Sequence, residues 1–281
     1  MLRIAIQSKG RLYEESMALL EEAGIKIPGG KRTLLVPARN FPVEVLFLRD
    51  DDIPESVASG VADVGIVGLN EVMEKRCPVG ILKKLGFGKC RLSLAIPQDI
   101  DYQDRNWFSG KKIATSYPGI LSDYLHKNGI VSDIHVITGS VEIAPGIRLA
   151  DAIFDIVSSG STLVSNRLKE VETVVESEAV LIGTDSISPE KRGILDELLF
   201  RFDSVQAADD KKYILMNVPQ KKLNDVLSVL PGIKSPTVMP LADKEWCSVH
   251  TVLDEKCFWE IINRLKTAGA EGILVLDIEK M

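Results

Sequence analysis

Five small residues, Ser158, Ser159, Gly160, Ser161 and Thr162, form the part of the sequence best suited to bind an anion. Four of them carry hydroxyl groups, and the glycine allows a ligand to approach the backbone closely. Backbone N–H groups and hydroxyl donors placed together make a concave anion-binding site. A capped helix followed by an ordinary polar loop explains the same residues, so the pattern alone leaves both interpretations open.

Two aspartates, Asp151 and Asp155, precede this loop at a spacing of four residues. The apolar residues around them recur at helical spacing, which predicts an amphipathic helix over residues 149–157. Both carboxylates then lie on the face opposite the apolar residues. Asp155 would sit near the helix C-terminus, where the helix dipole disfavours a negative charge by roughly 0.3–1 kcal/mol. A hydroxyl-rich or cationic ligand would offset that cost.

Composition limits the partners of the chain. Its 281 residues are enough for two or three domains, and 45% of them are hydrophobic and 26% charged, as in a globular protein. The net charge of -6 argues against a nucleic-acid partner, which needs clustered cations. The four cysteines are widely spaced and form no CxxC pair, which argues against a zinc site. No stretch has the length of a membrane span, and the N-terminus lacks the apolar core of a secretory signal, so we expect a cytoplasmic protein.

The elements that must position the loop alternate between strands and helices. A buried strand over residues 2–6, a helix over 13–23 and a strand over 63–68 predict a mainly parallel sheet with ligands at the carboxyl ends of its strands. A second α/β stretch begins at residue 92 and includes a turn at Pro118-Gly119. The apolar run 179–182 is predicted to return to the first domain. Two such crossings would create a hinge over a cleft.

The last quarter of the chain has a different pattern. Strands and helices predicted between residues 213 and 279 follow the order βαββαβ, which is a ferredoxin-like unit. The polar stretch 207–212 before it is predicted to be a linker. A small unit appended to a two-lobed body more often senses a ligand or supports assembly than catalyses a reaction.

Several blocks, spread over nearly the full length, together resemble the long form of ATP phosphoribosyltransferase, the first enzyme of histidine biosynthesis. The blocks include KGRL, DIPESVASGVADVGIVG, GFGKCRLSLAIP, KIATSYP, GSVEIAP, DAIFDIVSSGSTL and SPTVMPLADKEW. Each block alone is weak evidence for the resemblance, but all of them occur in the same order as in the family. The hydroxylic loop itself resembles the one with which phosphoribosyltransferases hold the 5-phosphate of phosphoribosyl pyrophosphate (PRPP).

The resemblance implies a two-lobed α/β catalytic body of periplasmic-binding-protein type II-like architecture, followed by a ferredoxin-like regulatory domain. One lobe would contain residues 1–90 with 179–205, and the other residues 91–178 with the PRPP loop. The regulatory domain would contain residues 207–281. The implied reaction joins N1 of the ATP adenine to the ribose C1 of PRPP and releases pyrophosphate.

The resemblance also implies roles for individual residues. The PRPP site would consist of the two aspartates and the loop, that is Asp151, Asp155, Ser158, Ser159, Gly160, Ser161 and Thr162. The ATP site would consist of Lys9, Gly10, Arg11, Arg49 and Asn70, and the catalytic residues would be Asp155, Lys9 and Arg11. For Arg49, a local ion pair with the neighbouring aspartates is an equally good interpretation.

Mg²⁺ is expected as cofactor, held through the substrate phosphates, and the sequence identifies no protein ligands for it. The resemblance further implies that histidine inhibits the enzyme by binding at Asn217, Ile233, Thr237 and Gly272, and that the chain forms dimers and hexamers. Two alternatives from other classes remain. A non-catalytic solute-binding protein shares the two-lobed body, and a catalytically silent regulator occurs among short-form relatives, which lack the appended domain.

Overall fold

The computed structural model describes residues 1–28, 33–231 and 236–281. The chain divides into two compact units, Met1–Leu199 and Phe200–Met281. Among the helices described, none combines the length and the apolar character needed to cross a membrane.

A six-stranded sheet organises the first half of the larger unit. Its strands are β1 (Leu2–Gln7), β2 (Leu35–Pro37), β3 (Val43–Leu48), β4 (Val64–Gly68), β5 (Gly80–Lys84) and β11 (Ala179–Gly183). They lie in the order β2-β3-β1-β4-β11-β5. Strand β1 runs parallel to both β3 and β4, so these three strands end at the same edge. That edge is where a parallel sheet exposes loops to a ligand.

A five-stranded sheet organises the rest of the larger unit. Its strands are β6 (Cys90–Pro97), β7 (Lys112–Thr115), β8 (Asp133–Val136), β9 (Ala152–Val157) and β10 (Leu168–Ser177). They lie in the order β10-β6-β9-β7-β8. Central strand β9 is parallel to β7 and antiparallel to β6. Its first three residues are buried, as expected for a strand covered on both faces.

Helices cover both sheets and connect their strands. They are α1 (Arg11–Glu22), α2 (Ile53–Ala58), α3 (Leu69–Lys75), α4 (Pro118–Lys127), α5 (Ser161–Ser165) and α6 (Pro189–Ala208). The turn predicted at Pro118-Gly119 is wrong, because both residues belong to the first turn of α4. Proline suits that position, since its missing N–H would have no partner there and its backbone angle is already helical.

The prediction of mainly parallel sheets is also wrong. In each of the two sheets, two strand pairs are parallel and the remaining pairs are antiparallel. Apart from β2 and β3, which are consecutive in the chain, the antiparallel pairs contain a strand at which the chain enters or leaves a sheet. It leaves the first sheet after β5, forms the whole second sheet, and returns through Glu178 to β11 in the first sheet. An open cavity lies where the two sheets meet.

The smaller unit contains a four-stranded antiparallel sheet. Its elements are β12 (Lys211–Pro219), α7 (Leu223–Val229), β13 (Thr237–Pro240), β14 (Trp246–Asp254), α8 (Glu255–Ala268) and β15 (Glu271–Asp277). The strand order is β13-β14-β12-β15. Alternate residues of β12, such as Ile214 and Met216, pack with Phe258, Ile261 and Leu265 of α8 in one buried core.

The predicted fold class, a two-lobed α/β body of type II-like architecture with a C-terminal βαββαβ unit, is confirmed by these sheets. The predicted linker at 207–212 is not a linker. Helix α6 continues through Ala208, a two-residue turn follows, and β12 begins at Lys211. Polar residues are frequent there because the segment is a helix end and a turn, where exposed backbone groups need solvent or polar partners.

Candidate active site

The hydroxylic loop lies between the end of β9 and the start of α5. Gly160 adopts a φ of 81°, a left-handed conformation that favours glycine, and it precedes the first residue of α5. The Ser159 and Ser161 hydroxyl oxygens are 3.0 Å apart and share a hydrogen bond. The first N–H groups of a helix have no acceptor within the helix. Amide and hydroxyl donors are therefore concentrated at one exposed turn, as an anion requires.

The predicted helix over residues 149–157 is wrong, because most of these residues form strand β9. The apolar residues seemed to follow helical spacing because both faces of the strand are buried. Asp151 precedes the strand at the end remote from the loop, and its carboxylate accepts a 2.9 Å hydrogen bond from the Lys112 N–H. The structure therefore separates Asp151 from the loop, and the predicted pair of acids on one helical face does not exist.

Asp155 lies on β9 near the loop, on the same face as Ile153 and Val157. That face packs with Leu163 of α5 in a buried core. The pKa of Asp155 is raised to about 6, mainly by burial and to a lesser degree by the nearby charge of Glu142, while a 2.8 Å hydrogen bond from the Ile156 N–H opposes the rise. Within the described ranges Asp155 has no ion-pair partner. A desolvated carboxylate of this kind is a strong acceptor for hydroxyl groups.

Two arginines hold the first residue of the loop. The Arg11 guanidinium Nη1, at the start of α1, donates to Ser158 Oγ at 3.1 Å. Arg91 Nη1, on β6, donates to the Ser158 carbonyl at 3.2 Å. Arg91 also makes two 2.5 Å hydrogen bonds to the Glu170 carboxylate, which lower the pKa of Glu170 to about 2. The two sheets thus contribute one cation each to the same serine.

A cavity of about 260 Å³ adjoins the loop at the carboxyl ends of β1 and β4. Both sheets contribute to its walls. Its lining residues are Gln7, Arg11, Leu12, Glu15, Asp50, Gly68, Asn70, Glu71, Gly88, Lys89, Cys90, Ile156 and Ser158. Because Ser158 belongs to both features, a ligand in the cavity would lie directly beside a ligand on the loop.

The residues predicted for the ATP site fall into two groups. Arg11 and Asn70 line the cavity, whereas Lys9, Gly10 and Arg49 do not. Lys9 is exposed in the connection between β1 and α1, and Gly10, with a φ of 90°, precedes the first residue of α1. Arg49 is 78% exposed and forms a 3.2 Å ion pair with Asp51, which is the alternative interpretation given for it.

Asn70 is part of a buried polar network that joins the two sheets. Its Nδ2 donates to Glu71 Oε1 at 3.1 Å, and its Oδ1 accepts from the Ser177 hydroxyl at 2.8 Å. The Tyr117 hydroxyl donates to Glu71 Oε1 at 2.9 Å. Burial raises the pKa values of both Glu71 and Tyr117. Asn70 and Glu71 follow strand β4 of the first sheet, while Ser177 lies on β10 of the second sheet and Tyr117 follows its strand β7.

The predicted histidine-site residues lie in the smaller unit. Asn217 on β12 is adjacent to Gly272 on β15, and a Cβ added at Gly272 would lie 3.3 Å from Asn217 Nδ2. Thr237 lies on β13 and pairs with His250 of β14 rather than with β12 or β15. Ile233 lies outside the described residues. The structure thus brings Asn217 and Gly272 together and places Thr237 on β13, at the edge of the sheet opposite to β15.

Comparison with known proteins decides the family. A family model described as ATP phosphoribosyltransferase matches residues 49–204, and one described as the HisG C-terminal domain matches residues 208–280. A protein from Bacteroides fragilis named ATP phosphoribosyltransferase is 70% identical over 281 residues, covering 100% of this chain and 99% of that protein. The chain belongs to the ATP phosphoribosyltransferase family. A Cytophaga hutchinsonii protein of the same name is 58% identical over 280 residues, covering 100% of this chain and 98% of that protein.

A solved ATP phosphoribosyltransferase shares this fold. The structure is described as the ATP phosphoribosyl transferase (HisG:HisZ) complex from Thermotoga maritima. It is 27% identical, with a TM-score of 0.62, over 72% of this chain and 99% of that chain. The family membership predicted from the sequence blocks is confirmed.

Reasoning from the sequence did not single out three residues that the structure places at the loop or the cavity, namely Arg91, Glu71 and Tyr117. Arg91 and Tyr117 are present in the sequence blocks GFGKCRLSLAIP and KIATSYP, so those blocks contained a signal for them. Glu71 follows a glycine turn at the end of a strand, which is a usual position for a ligand contact in α/β proteins.

Proposed function

We propose that the chain transfers the phosphoribosyl group of PRPP to N1 of the ATP adenine and releases pyrophosphate, the first step of histidine biosynthesis. The observation that carries this function is the donor-rich turn at residues 158–162, with Asp155 before it and a base-sized cavity beside it. Membership of the ATP phosphoribosyltransferase family supports the same conclusion.

In this proposal the loop binds the 5-phosphate of PRPP with its amide and hydroxyl groups. Asp155 accepts hydrogen bonds from the ribose hydroxyls, which would satisfy a desolvated carboxylate for which the described residues provide no cation partner. Positive charge develops on the ribose as the pyrophosphate departs, and a carboxylate beneath the ring stabilises it. Arg11, which contacts Ser158, and exposed Lys9 are placed to meet the phosphates. Asp151 is not part of the proposed site.

Mg²⁺ would be held mainly by the phosphate oxygens of the substrates. No cluster of three metal-ligating side chains is present in the described ranges. Magnesium commonly keeps several waters and is bound through substrate phosphates with one or two carboxylates, so this chemistry does not require a dedicated protein cage. When bound, it would neutralise charge on the leaving pyrophosphate.

We further propose that residues 1–90 with 179–205 and residues 91–178 act as the two lobes of the catalytic body. Residues 207–281 would then form a regulatory domain that binds histidine near Asn217 and Gly272, with Ile233 and Thr237 as further candidates. The adjacency of Asn217 and Gly272 supports this site. Histidine can inhibit only if it binds an inactive assembly more tightly than the active one.

Homo-oligomers, dimers and hexamers among them, are the proposed assemblies, and small molecules rather than nucleic acids or membranes are the proposed partners. The net charge of -6 is unfavourable for binding nucleic acid. A cytoplasmic location suits the reaction because ATP is available there.

The test is to mix the protein with Mg²⁺, ATP and PRPP in the presence of pyrophosphatase, and to follow the absorbance increase of phosphoribosyl-ATP. Thr162→Ala should retain the wild-type melting temperature and lose most of the turnover. Ser132→Ala, whose hydroxyl bonds the Phe108 carbonyl away from the loop, is a control that should keep its activity. Folded wild-type protein that binds PRPP but forms no product would support the alternative function, a non-catalytic solute-binding protein.

A further inference from the structure

The cavity beside the loop differs from the loop in its chemistry. The loop offers hydrogen-bond donors, whereas the cavity has apolar walls at Leu12 and Ile156 and carboxylates at Asp50 and Glu71. The lining also holds two cations, Lys89 and Arg11, of which Arg11 is paired with the Glu15 carboxylate at 3.2 Å. Carboxylates repel phosphates and attract groups that donate hydrogen bonds. The cavity is therefore suited to a flat base that carries N–H donors.

Its size leads to the same conclusion. Sites for drug-sized ligands usually enclose about 300–1,000 Å³. At about 260 Å³ the cavity lies just below that range, so it can enclose the base but not a whole nucleoside triphosphate. The sugar and phosphates of ATP would then extend outward toward solvent.

Glu71 is the carboxylate with the most constrained position. The residue is 6% exposed, and its Oε1 accepts hydrogen bonds from Tyr117 at 2.9 Å and Asn70 at 3.1 Å. For its second oxygen, Oε2, the described part of the chain provides no hydrogen-bond donor. Oε2 is not fully buried, and Glu71 lines the cavity, so a ligand donor can reach this oxygen.

We propose that Glu71 selects the base: its Oε2 accepts a hydrogen bond from the exocyclic 6-amino group of adenine and thereby directs N1 toward the ribose C1 of PRPP. This inference rests on the proposed function. It adds a specificity-determining residue to the ATP site. Bases with a 6-oxo group present an acceptor at that point, and two acceptors facing each other without a proton repel.

The geometry of the reaction gives Glu71 a second effect. N1 and the 6-amino group lie on the same edge of adenine, so a contact to one positions the other. The N1–C1 bond forms from the N1 lone pair as the C1–O bond to pyrophosphate breaks, and pyrophosphate leaves with that electron pair. Adenine then carries a positive charge shared between N1 and the 6-amino nitrogen. A carboxylate at the amino group stabilises this charge more in the transition state than in the substrate.

Tyr117 is a positioning residue in this scheme. Its hydroxyl does not need to touch the base, because it holds Glu71 Oε1 and so leaves Oε2 directed at the cavity. Tyr117 follows strand β7 of the second sheet and Glu71 follows a strand of the first, so the hydrogen bond between them couples the orientation of Glu71 to the arrangement of the sheets.

The experiment measures the affinities of AMP and IMP, which differ at position 6 of the base and share sugar and phosphate. Isothermal titration calorimetry on the full-length wild-type protein should give a Kd for AMP at least about tenfold lower than for IMP, the effect expected of one hydrogen bond to a charged group. Glu71→Gln should reduce this ratio to about threefold or less, because an amide can rotate to donate to a 6-oxo group. Tyr117→Phe should give an intermediate ratio and a lower kcat with ATP.

Two controls separate base recognition from a structural effect. Glu74→Gln changes an acid one turn further along α3, whose carboxylate bonds the backbone of α4, and it should keep the wild-type AMP-to-IMP ratio even if the melting temperature falls. The Kd for PRPP should be unchanged in Glu71→Gln.

Three results would overturn the inference. One is equal binding of AMP and IMP by the wild type. Another is a folded Glu71→Gln variant that keeps the wild-type ratio of AMP to IMP affinity. If Glu71→Gln does not fold, the third is a Tyr117→Phe variant that keeps this ratio. Absence of product from ATP and PRPP with the wild type would instead contradict the proposed function, and the binding ratio would still report on Glu71.

Discussion

Replacing Asp155 by asparagine should make the protein more stable and inactive. In the folded protein burial raises the pKa of Asp155 from 3.8 to about 6. A carboxyl group with a raised pKa destabilises the folded state wherever it is ionised. Each tenfold change in acid dissociation corresponds to 1.36 kcal/mol, so the cost at pH 8 is about 3 kcal/mol. It falls to about 0.5 kcal/mol at pH 4, because the group is then largely protonated in the folded state.

Asp155→Asn removes the charge and keeps the size. We expect a gain in the free energy of unfolding of up to about 3 kcal/mol at pH 8 and almost none at pH 4. Urea denaturation can follow the larger unit alone through Trp107, in a background where Trp246 and Trp259 are replaced by phenylalanine. Turnover should fall at least about a hundredfold, since the variant lacks the charge that stabilises the ribose.

The matched control is Asp99→Asn, an exposed acid in the same unit. It should change the free energy of unfolding by no more than about 0.5 kcal/mol at either pH. If Asp155→Asn is less stable than the wild type at pH 8, or if its gain does not grow with pH, the argument that Asp155 is a costly desolvated carboxylate is wrong. Normal turnover in the variant would contradict its catalytic role.

Three further predictions concern single positions. Gly160→Ala places a side chain at a φ of 81° and should lower the free energy of unfolding by about 1–2 kcal/mol. It should also weaken PRPP binding, and thermal shift with and without PRPP measures both effects. Glu74→Ala removes two hydrogen bonds of 2.8 and 2.9 Å to the first turn of α4 and should lower the free energy of unfolding by about 1–2 kcal/mol, with unchanged stability refuting the capping role. Gly272→Ala crowds Asn217 and should weaken inhibition by histidine about tenfold, a loss of 1.4 kcal/mol of binding, at unchanged turnover; unaltered inhibition would place the histidine site elsewhere.

Elements with one buried face were predictable from the sequence. The second helix of the predicted βαββαβ order is α8, which the structure has at Glu255–Ala268. Its buried residues Phe258, Ile261 and Leu265 are spaced by three and four, which only a helix places on one face. The βαββαβ order was predictable for the same reason, since the strands of the smaller unit alternate between its core and its open face.

Elements that depend on distant partners were not predictable. The first three residues of strand β9 are buried on both faces between β6 and β7, so its apolar residues show no period of two and can be taken for a helix. Strand β10 escaped notice because two irregularities in its pairing with β6 interrupt the alternation of its residues. At the proposed site, the sequence suggested the loop and Asp155 as candidates, but the contact between Arg91 and Glu170 joins residues 79 positions apart and is visible only in the fold.

The start of α4 follows a parallel strand, which in many α/β proteins is where an anion binds. Here the Glu74 carboxylate accepts from the Gly119 and Ile120 amides and acts as a built-in counter-ion. A polyphosphate could bind there only by displacing the Glu74 carboxylate. The serine-rich turn at residues 158–162 is therefore the more favourable phosphate site. A single substitution of Glu74 would free this helix N-terminus for a second phosphate site. The same substitution would remove the hydrogen bonds that join α3, after the first sheet, to α4, after a strand of the second.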